Sequence, residues 1–396
     1  MIPELRFPNF KEEWVNIPLF EIVNRVTRKN KDNETDLPLT ISSIDGLIDQ
    51  RDYFNRTIAS KDMSGYYLLK KGEFAYNKSY SIGYDYGSIK RLEKFDKGAL
   101  STLYICFKIK DEEKTDSDFL KYYFDSQKWC KEVYMICTEG ARHHGLLNVG
   151  VEDFFNINLC LPKDIKEQKK IAQFIKKYDE KIAIMKEKIE YLKEERKTTV
   201  SDIFEKRIYK NIDWKTYKLG DALIEYNQKS SKGKEYEHVS LTKEGVVPKT
   251  DRYDRDFLVR TDDKQYRITH VDDICYNPAN LKFGVICRNK YKDAIFSPIY
   301  VTFKVQNCFD PAFIELLVTR NDFINYSLKY QEGTVYERMA VNPKDLLSID
   351  IDAPDIKYQR EIANFVELLD SKIKLEETQL EKLIMIRKGL LQKLFV

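Results

Sequence analysis

Within the eight residues Asn77-Lys78-Ser79-Tyr80-Ser81-Ile82-Gly83-Tyr84, the chain offers amide, ammonium, hydroxyl and phenol groups around a glycine. At the matching place 200 residues on, Asn277-Pro278-Ala279-Asn280-Leu281-Lys282-Phe283-Gly284 offers a different selection of the same kinds of group. Such mixtures suit a nucleic acid. An amide such as that of Asn277 or Asn280 can bridge adenine, while Lys78, Ser79 and Lys282 can reach phosphates or base edges and Tyr80 adds an aromatic face. A second pair of segments is Gly140-Ala141-Arg142-His143-His144-Gly145 and Gly333-Thr334-Val335-Tyr336-Glu337-Arg338. There the guanidinium of Arg142 or Arg338 can bind guanine through two hydrogen bonds, a contact worth about 1–3 kcal/mol of discrimination. Two basic runs, Arg25 to Lys31 and Lys229 to Lys234 (with Lys232 and Lys234), offer phosphate clamps whose contribution would fall with salt. Ordinary solvated turns and a solvated charge run are the competing readings for all of these.

The elements that position these groups are written twice. Ile165, Gln168, Ile171, Ala172, Phe174, Asp179, Lys181 and Ile182 recur as Ile356, Gln359, Ile362, Ala363, Phe365, Asp370, Lys372 and Ile373, always 191 residues on. Upstream, Trp14, Leu19 and Tyr76-Asn77 answer Trp214, Leu219 and Tyr276-Asn277 at an offset of 200, and Leu39-Thr40-Ile41-Ser42 answers Val239-Ser240-Leu241-Thr242. A period near 200 residues is too long for a solenoid and indicates a duplicated domain with its connector. Apolar residues at 171, 175, 178, 182, 185, 189 and 192 alternate in steps of four and three, a heptad seam on a helix. Asp164 with Glu167 fits its cap and capping box. The second seam runs Ile362, Val366, Leu369, Ile373, Leu380, Leu383, Leu390, Leu394, interrupted by Glu376 and Arg387; Arg196 is the equivalent of Arg387. Each helix would span about 40 residues, roughly 60 Å, and the simplest way to bury one greasy stripe is against the other. Residues 103–109 and 299–305 read as strands, residues 117–133 and 311–330 as helical, and Gln168 and Gln359 as capping or polar contacts with the adjacent globule. The fold class expected is α+β. It comprises two similar globules, each followed by a long α-helix, the helices packed as an antiparallel coiled coil with pseudo-twofold symmetry, with boundaries at 1–160, 161–207, 208–352 and 353–396.

Composition narrows the function. The chain of 396 residues has 67 basic and 64 acidic residues, so a net charge of +3 does not by itself nominate a nucleic-acid binder; any basic surface must come from local segregation. Seven cysteines without a Cys-x-x-Cys pair argue for buried, reduced thiols rather than a disulfide framework or zinc site. Without a leader-like start or an 18-residue apolar run, a cytoplasmic protein with no membrane partner is expected. No phosphate loop, dinucleotide fingerprint, His-Glu-x-x-His or nucleophile elbow is written in the chain. Asn277-Pro278-Ala279-Asn280 is similar to the Asn-Pro-Pro-aromatic element of amino-methyltransferases, but lacks the second proline and the aromatic. Four histidines, of which only His143 and His144 adjoin, make a His-based metal or catalytic site a poor reading. No catalytic residue and no metal site is therefore expected.

The chain resembles the specificity subunit of type I restriction-modification systems. The resemblance is carried by Leu161-Pro162 and Ala353-Pro354, each followed by Gln, Ile-Ala-x-Phe, Asp and a long heptad helix ending at Ile203-Phe204 or Leu394-Phe395. It covers the whole chain in the order reader, helix, reader, helix. The resemblance implies two target-recognition domains of differing sequence, each reading one half of an interrupted, asymmetric double-stranded DNA target. It implies helices that set the spacing and dock two modification (methyltransferase) subunits, with restriction subunits joining to give a translocase-nuclease. Catalysis would then lie in the partners, with S-adenosylmethionine held by the modification subunits and no cofactor on this chain. A diverged methyltransferase or nuclease, and a coiled-coil scaffold for protein partners, are the rival readings.

Overall fold

A computed structural model describes residues 1–54, 59–137, 147–231, 235–249, 265–332 and 339–396. The chain divides into two compact units, Met1–Glu187 with Glu377–Val396, and Lys188–Glu376. Each therefore owns one end of each long helix, Ile165–Phe204 and Ile356–Leu394.

Unit 1 is organised on an antiparallel four-stranded sheet in the order Val23–Arg25, Ile105–Ile109, Phe74–Asn77, Ser88–Arg91. Alternation of β-branched and aromatic residues makes these strands and turns Phe74, Tyr76 and Phe107 into one core, where Phe74 stacks on Phe107 and Tyr76 on Phe154. Two hairpin-like pairs flank it, Leu39–Ser42 with Gly46–Asp49 and Tyr67–Lys70 with Lys97–Leu100. Asp116 caps the helix Ser117–Asp125 by accepting from the Phe119 amide, 2.8 Å. The single helix expected over 117–133 is broken. Gln127 adopts φ 60°, the Trp129 indole donates to the Phe124 carbonyl, and a second helix starts at Cys130. Strand Val15–Pro18 pairs with Asn158–Leu161, which leads into the first long helix.

Unit 2 repeats the plan. Its four-stranded sheet runs Leu223–Tyr226, Val301–Val305, Ile274–Tyr276, Ile286–Arg288, and Trp214–Lys218 pairs with Asp350–Pro354 before the second long helix. Asp310 caps Pro311–Val318 with proline at the first turn. A second helix, Asn321–Ser327, follows, so the stretch expected to be helical to residue 330 is also broken. Where unit 1 has two separate strand pairs, unit 2 has a continuous five-stranded sheet, Lys229–Ser231, Gln265–Thr269, Ala294–Phe296, Glu237–Thr242, Gly245–Pro248, with one parallel pairing.

The long helices enter each core through equivalent residues. Ile171, Ala172 and Ile175 join Leu391, Leu394 and Phe395 in unit 1; Ile362, Ala363 and Val366 join Val200, Ile203 and Phe204 in unit 2. The expected seam residue Leu390 is only half-buried, and its neighbour Leu391 takes the core position. Asp164 caps the first helix through the Lys166 amide, 2.8 Å, but Glu167 does not serve in a capping box: it is buried and accepts from Arg6 and from the Trp14 indole. Gln168 and Gln359 behave as expected. The Oε1 atoms accept the amides of Asp116 (2.8 Å) and Asp310 (2.9 Å), and the Nε2 atoms donate to the carbonyls of Pro162 and Pro354.

Within unit 1, the Arg387 guanidinium donates to Asp179 and lies 3.6 Å from Asp125. Within unit 2, Arg196 makes the same bidentate pair with Asp370, 2.5 and 3.0 Å. The charge at seam position Glu376 is met by the Lys188 ammonium at 2.6 Å. Cys106, Cys160, Cys275 and Cys287 are buried free thiols, and Cys308 is exposed. Among the described residues, no helix is long and apolar enough to cross a membrane.

Candidate nucleic-acid interface

In unit 1 the candidate loop joins the two sheet strands that end at Asn77 and begin at Ser88, which face each other in register. Gly87 is required there: its φ is +77°, and a Cβ on it would stand 2.1 Å from the Asn77 carbonyl oxygen. Below the loop, burial drives the Tyr76 hydroxyl pKa well above its ordinary value; it stays protonated and donates to the Tyr86 carbonyl at 2.9 Å. The Asn77 side chain accepts from the Ser79 amide at 3.0 Å, and the Lys78 carbonyl accepts from Leu147. Lys78 itself is half-buried, its ammonium 3.5 Å from the Val149 carbonyl, and Ser79 is half-buried beside it. Tyr80 is exposed, as is Ile82.

A second turn, Ser42 to Gly46, lies against this loop. Ser43 Oγ is 2.8 Å from Ser81 Oγ and donates to Ser88 Oγ at 3.1 Å. The turn is closed by reciprocal bonds between Ser42 and Asp45, and Ile44 stands at its tip.

Unit 2 assembles its counterpart differently. Asn277 is buried, and its amide oxygen caps a 3-10 turn over Pro278–Phe283 by accepting from the Ala279 amide, 3.2 Å. That position holds the loop in shape, which leaves half-exposed Asn280 as the amide nearer solvent. Lys282 is exposed with its ammonium 4.9 Å from the ring centroid of exposed Phe283. Beneath, burial likewise raises the Tyr276 hydroxyl, which donates to the Val341 carbonyl. Gly284, at φ +80°, lies beside the Lys243 side chain of the turn Thr242 to Gly245. The juxtaposition of two turns thus occurs in both units.

In the first basic run two of the cations are already engaged. Arg28 donates to Glu73 (2.7 Å) and to the Leu68 carbonyl; Lys29 donates to the Gly65 carbonyl and lies over the Tyr67 ring. Lys229 is exposed on a strand. Arg142, His143, His144, Lys232, Lys234, Tyr336 and Arg338 lie outside the described residues. Ile44 and Lys243 were not among the residues the sequence nominated. The available signal was the match of 39–42 with 239–242, followed in each copy by a turn glycine, Gly46 or Gly245. Among the described residues, no three His, Cys, Asp or Glu side chains are grouped to hold a metal ion.

Residues 11–194 match the family model described as the type I restriction modification DNA specificity domain. No curated protein matches the chain. The fold is similar to that of the type I restriction-modification system S subunit from M. genitalium, with TM-score 0.55 and 15% identity over 100% of this chain and 99% of that one. It is equally similar, at TM-score 0.55 and 12% identity over 97% and 98%, to a chain from a study of complex assembly and conformational transition of the type I R-M system.

Proposed function

We propose, from the match of residues 11–194 to the type I restriction modification DNA specificity domain, that the whole chain is the DNA-recognition subunit of such a system. Residues 1–160 and 208–352 read the two halves of an interrupted, asymmetric target, and residues 161–207 and 353–396 connect them. The observation that carries this reading is the matched pair of turn surfaces. From the equivalent place in its own four-stranded sheet, each unit offers an exposed loop, hydroxyl-rich with Tyr80 and Ile82 in one, cationic and aromatic with Lys282 and Phe283 in the other. Equivalent four-stranded sheets with unlike tips are what two different half-sites demand.

The long helices act in this reading as an antiparallel coiled pair. Support comes from the exchange of repeat-equivalent partners, Arg387 with Asp179 and Arg196 with Asp370. Rods of roughly 60 Å suit sites one or more DNA turns apart, a turn being about 34 Å. A pseudo-twofold pair also offers two similar faces to two copies of one partner, which we assign to two modification subunits carrying S-adenosylmethionine. The chain itself is non-catalytic and cytoplasmic in this account, with restriction subunits as further partners.

The test is to purify the full chain with its modification subunit and S-adenosylmethionine and sequence the methylated sites. One split target is expected, and exchange of residues 1–160 for those of another such chain alters one half alone. A target unchanged by the exchange, or methylation by this chain without its partner, contradicts the proposal. DNA affinity of the complex should fall steeply with salt as phosphate contacts are screened; a protein scaffold would show no such affinity.

A further inference from the structure

Two isoleucines in unit 1 stand at turn tips almost fully in water, Ile44 at 84% exposure and Ile82 at 92%. Single exposed apolar residues need no explanation. These two are held as a pair. Each directly follows a serine, and those serines, Ser43 and Ser81, are 2.8 Å apart through their hydroxyls. Ser43 is further fixed to Ser88, and the Gly83 carbonyl is held by the Gln127 amide at 3.2 Å. Tyr80 lies on the same loop at 55% exposure.

The chemistry around the tips favours base edges over phosphates. Exposed Asp45 and Asp85 share the two turns, and carboxylates repel a phosphate but accept from the cytosine amino group. An aliphatic tip offers no hydrogen bond. On the edge of a base pair in the major groove, its complement is the 5-methyl group of thymine.

Resting on the reading of the chain as a DNA-recognition subunit, we infer that Ile44 and Ile82 are specificity-determining residues that read thymine methyl groups in the half-site of unit 1. Unit 2 places Lys243 and the Lys282–Phe283 pair at the equivalent turns and has no such aliphatic pair there. Dependence on the methyl group is therefore a property of one half of the target.

The test uses the full chain in complex with its modification subunit, on duplexes carrying the split site obtained by methylome sequencing. The half belonging to unit 1 is identified by exchanging residues 1–160. Deoxyuridine, which lacks only the methyl group, replaces thymidine in each half in turn. For the wild-type complex, replacement in the unit 1 half should weaken binding about four-fold per contacted methyl. The double variant Ile44→Ser with Ile82→Ser should bind the unmodified site more weakly and be indifferent to that replacement, while replacement in the other half affects both proteins alike. The inference is overturned by a unit 1 half-site without thymine, by wild-type binding that ignores deoxyuridine, or by a double variant that keeps the wild-type response. Loss of affinity in the variant without any deoxyuridine effect in the wild type would mark the isoleucines as wedges between base steps instead. A wild-type complex that binds no split target would defeat the recognition-subunit reading itself, a distinguishable result.

Discussion

Arg387 in unit 1 and Arg196 in unit 2 are the same residue of the repeat, yet their surroundings differ. Arg387 is 22% exposed in its side chain, is shared by Asp179 and Asp125, and faces the Tyr122 ring, whose hydroxyl donates to Asp179 at 2.8 Å. Burial, and then the Asp179 carboxylate, push the Tyr122 hydroxyl well above its ordinary pKa, so it remains a donor at neutral pH. Arg196 is 33% exposed and pairs with Asp370, itself 43% exposed. Duplication has kept the partner type on each long helix, while the globule beside it decides how much water the pair sees. Since the strength of an ion pair follows its desolvation, the two equivalents should differ in energetic weight.

Substitution tests this comparison directly. Arg387→Ala leaves Asp179 without its cation, while Asp125 keeps Lys90 at 2.7 Å, and should cost about 2 kcal/mol, under the cost of breaking a fully buried pair. Arg196→Ala should cost about 1 kcal/mol or less. Urea unfolding of the full chain reads both, because Trp14 and Trp129 report on unit 1 and Trp214 on unit 2. Equal costs would show that the surroundings of the pair do not matter.

Where the environments are alike, the costs should be alike. Gln168 and Gln359 are both 2% exposed and bind equivalent backbone groups. Substituting either by alanine strands a buried amide and carbonyl, at about 2 kcal/mol in its own unit by the same unfolding measurement. A cost confined to one glutamine would break the equivalence of the two helix starts.

Glu376 sharpens the contrast from the other side. Its equivalent is Met185, and it keeps a buried carboxylate in the seam only by meeting Lys188. Glu376→Met should be neutral or stabilising by about 1 kcal/mol, since an apolar side chain avoids the desolvation cost. Strong destabilisation would mean that the pair supports the fold at that point.

The smallest effect concerns one turn. Glu73 accepts from the Lys70 amide and from Arg28; at the equivalent position Asp273 accepts from the His270 amide and from the Tyr226 hydroxyl. Burial raises the pKa of Asp273 even though these donors oppose the shift. A carboxyl raised in the folded state stabilises most below its unfolded pKa, and that contribution is lost as pH rises through the interval up to the folded value. Asp273→Asn should therefore be most favourable relative to wild type near neutral pH, with the difference in Tm shrinking as pH falls into the carboxylate range. A difference independent of pH would contradict the assignment.

Much of this was legible because the residues concerned answer to local rules. The heptad steps, the Asp164 cap and the polar role of Gln168 and Gln359 follow from spacing alone. Glu167 was misread because its partners, Arg6 and Trp14, lie more than 150 residues away in the chain. The helix breaks at Gln127 and Arg320 carry no proline or glycine signal, and the first is held by a side-chain bond, from the Trp129 indole to the Phe124 carbonyl, that apolar spacing does not show. Of the candidate site, the loops after Asn77 and Asn277 were visible as polar, glycine-bearing turns. The turn at Ile44 was not, because its alliance with Ser81 is made across the fold by two serine hydroxyls.

Sequencing the methylated sites produced by the full chain with its modification subunit, before and after exchange of residues 1–160, tests the account most directly. Two unlike half-sites with a fixed gap, of which the exchange rewrites one and leaves the other and the gap intact, is the result predicted. A continuous target, or one in which both halves change together, would contradict it.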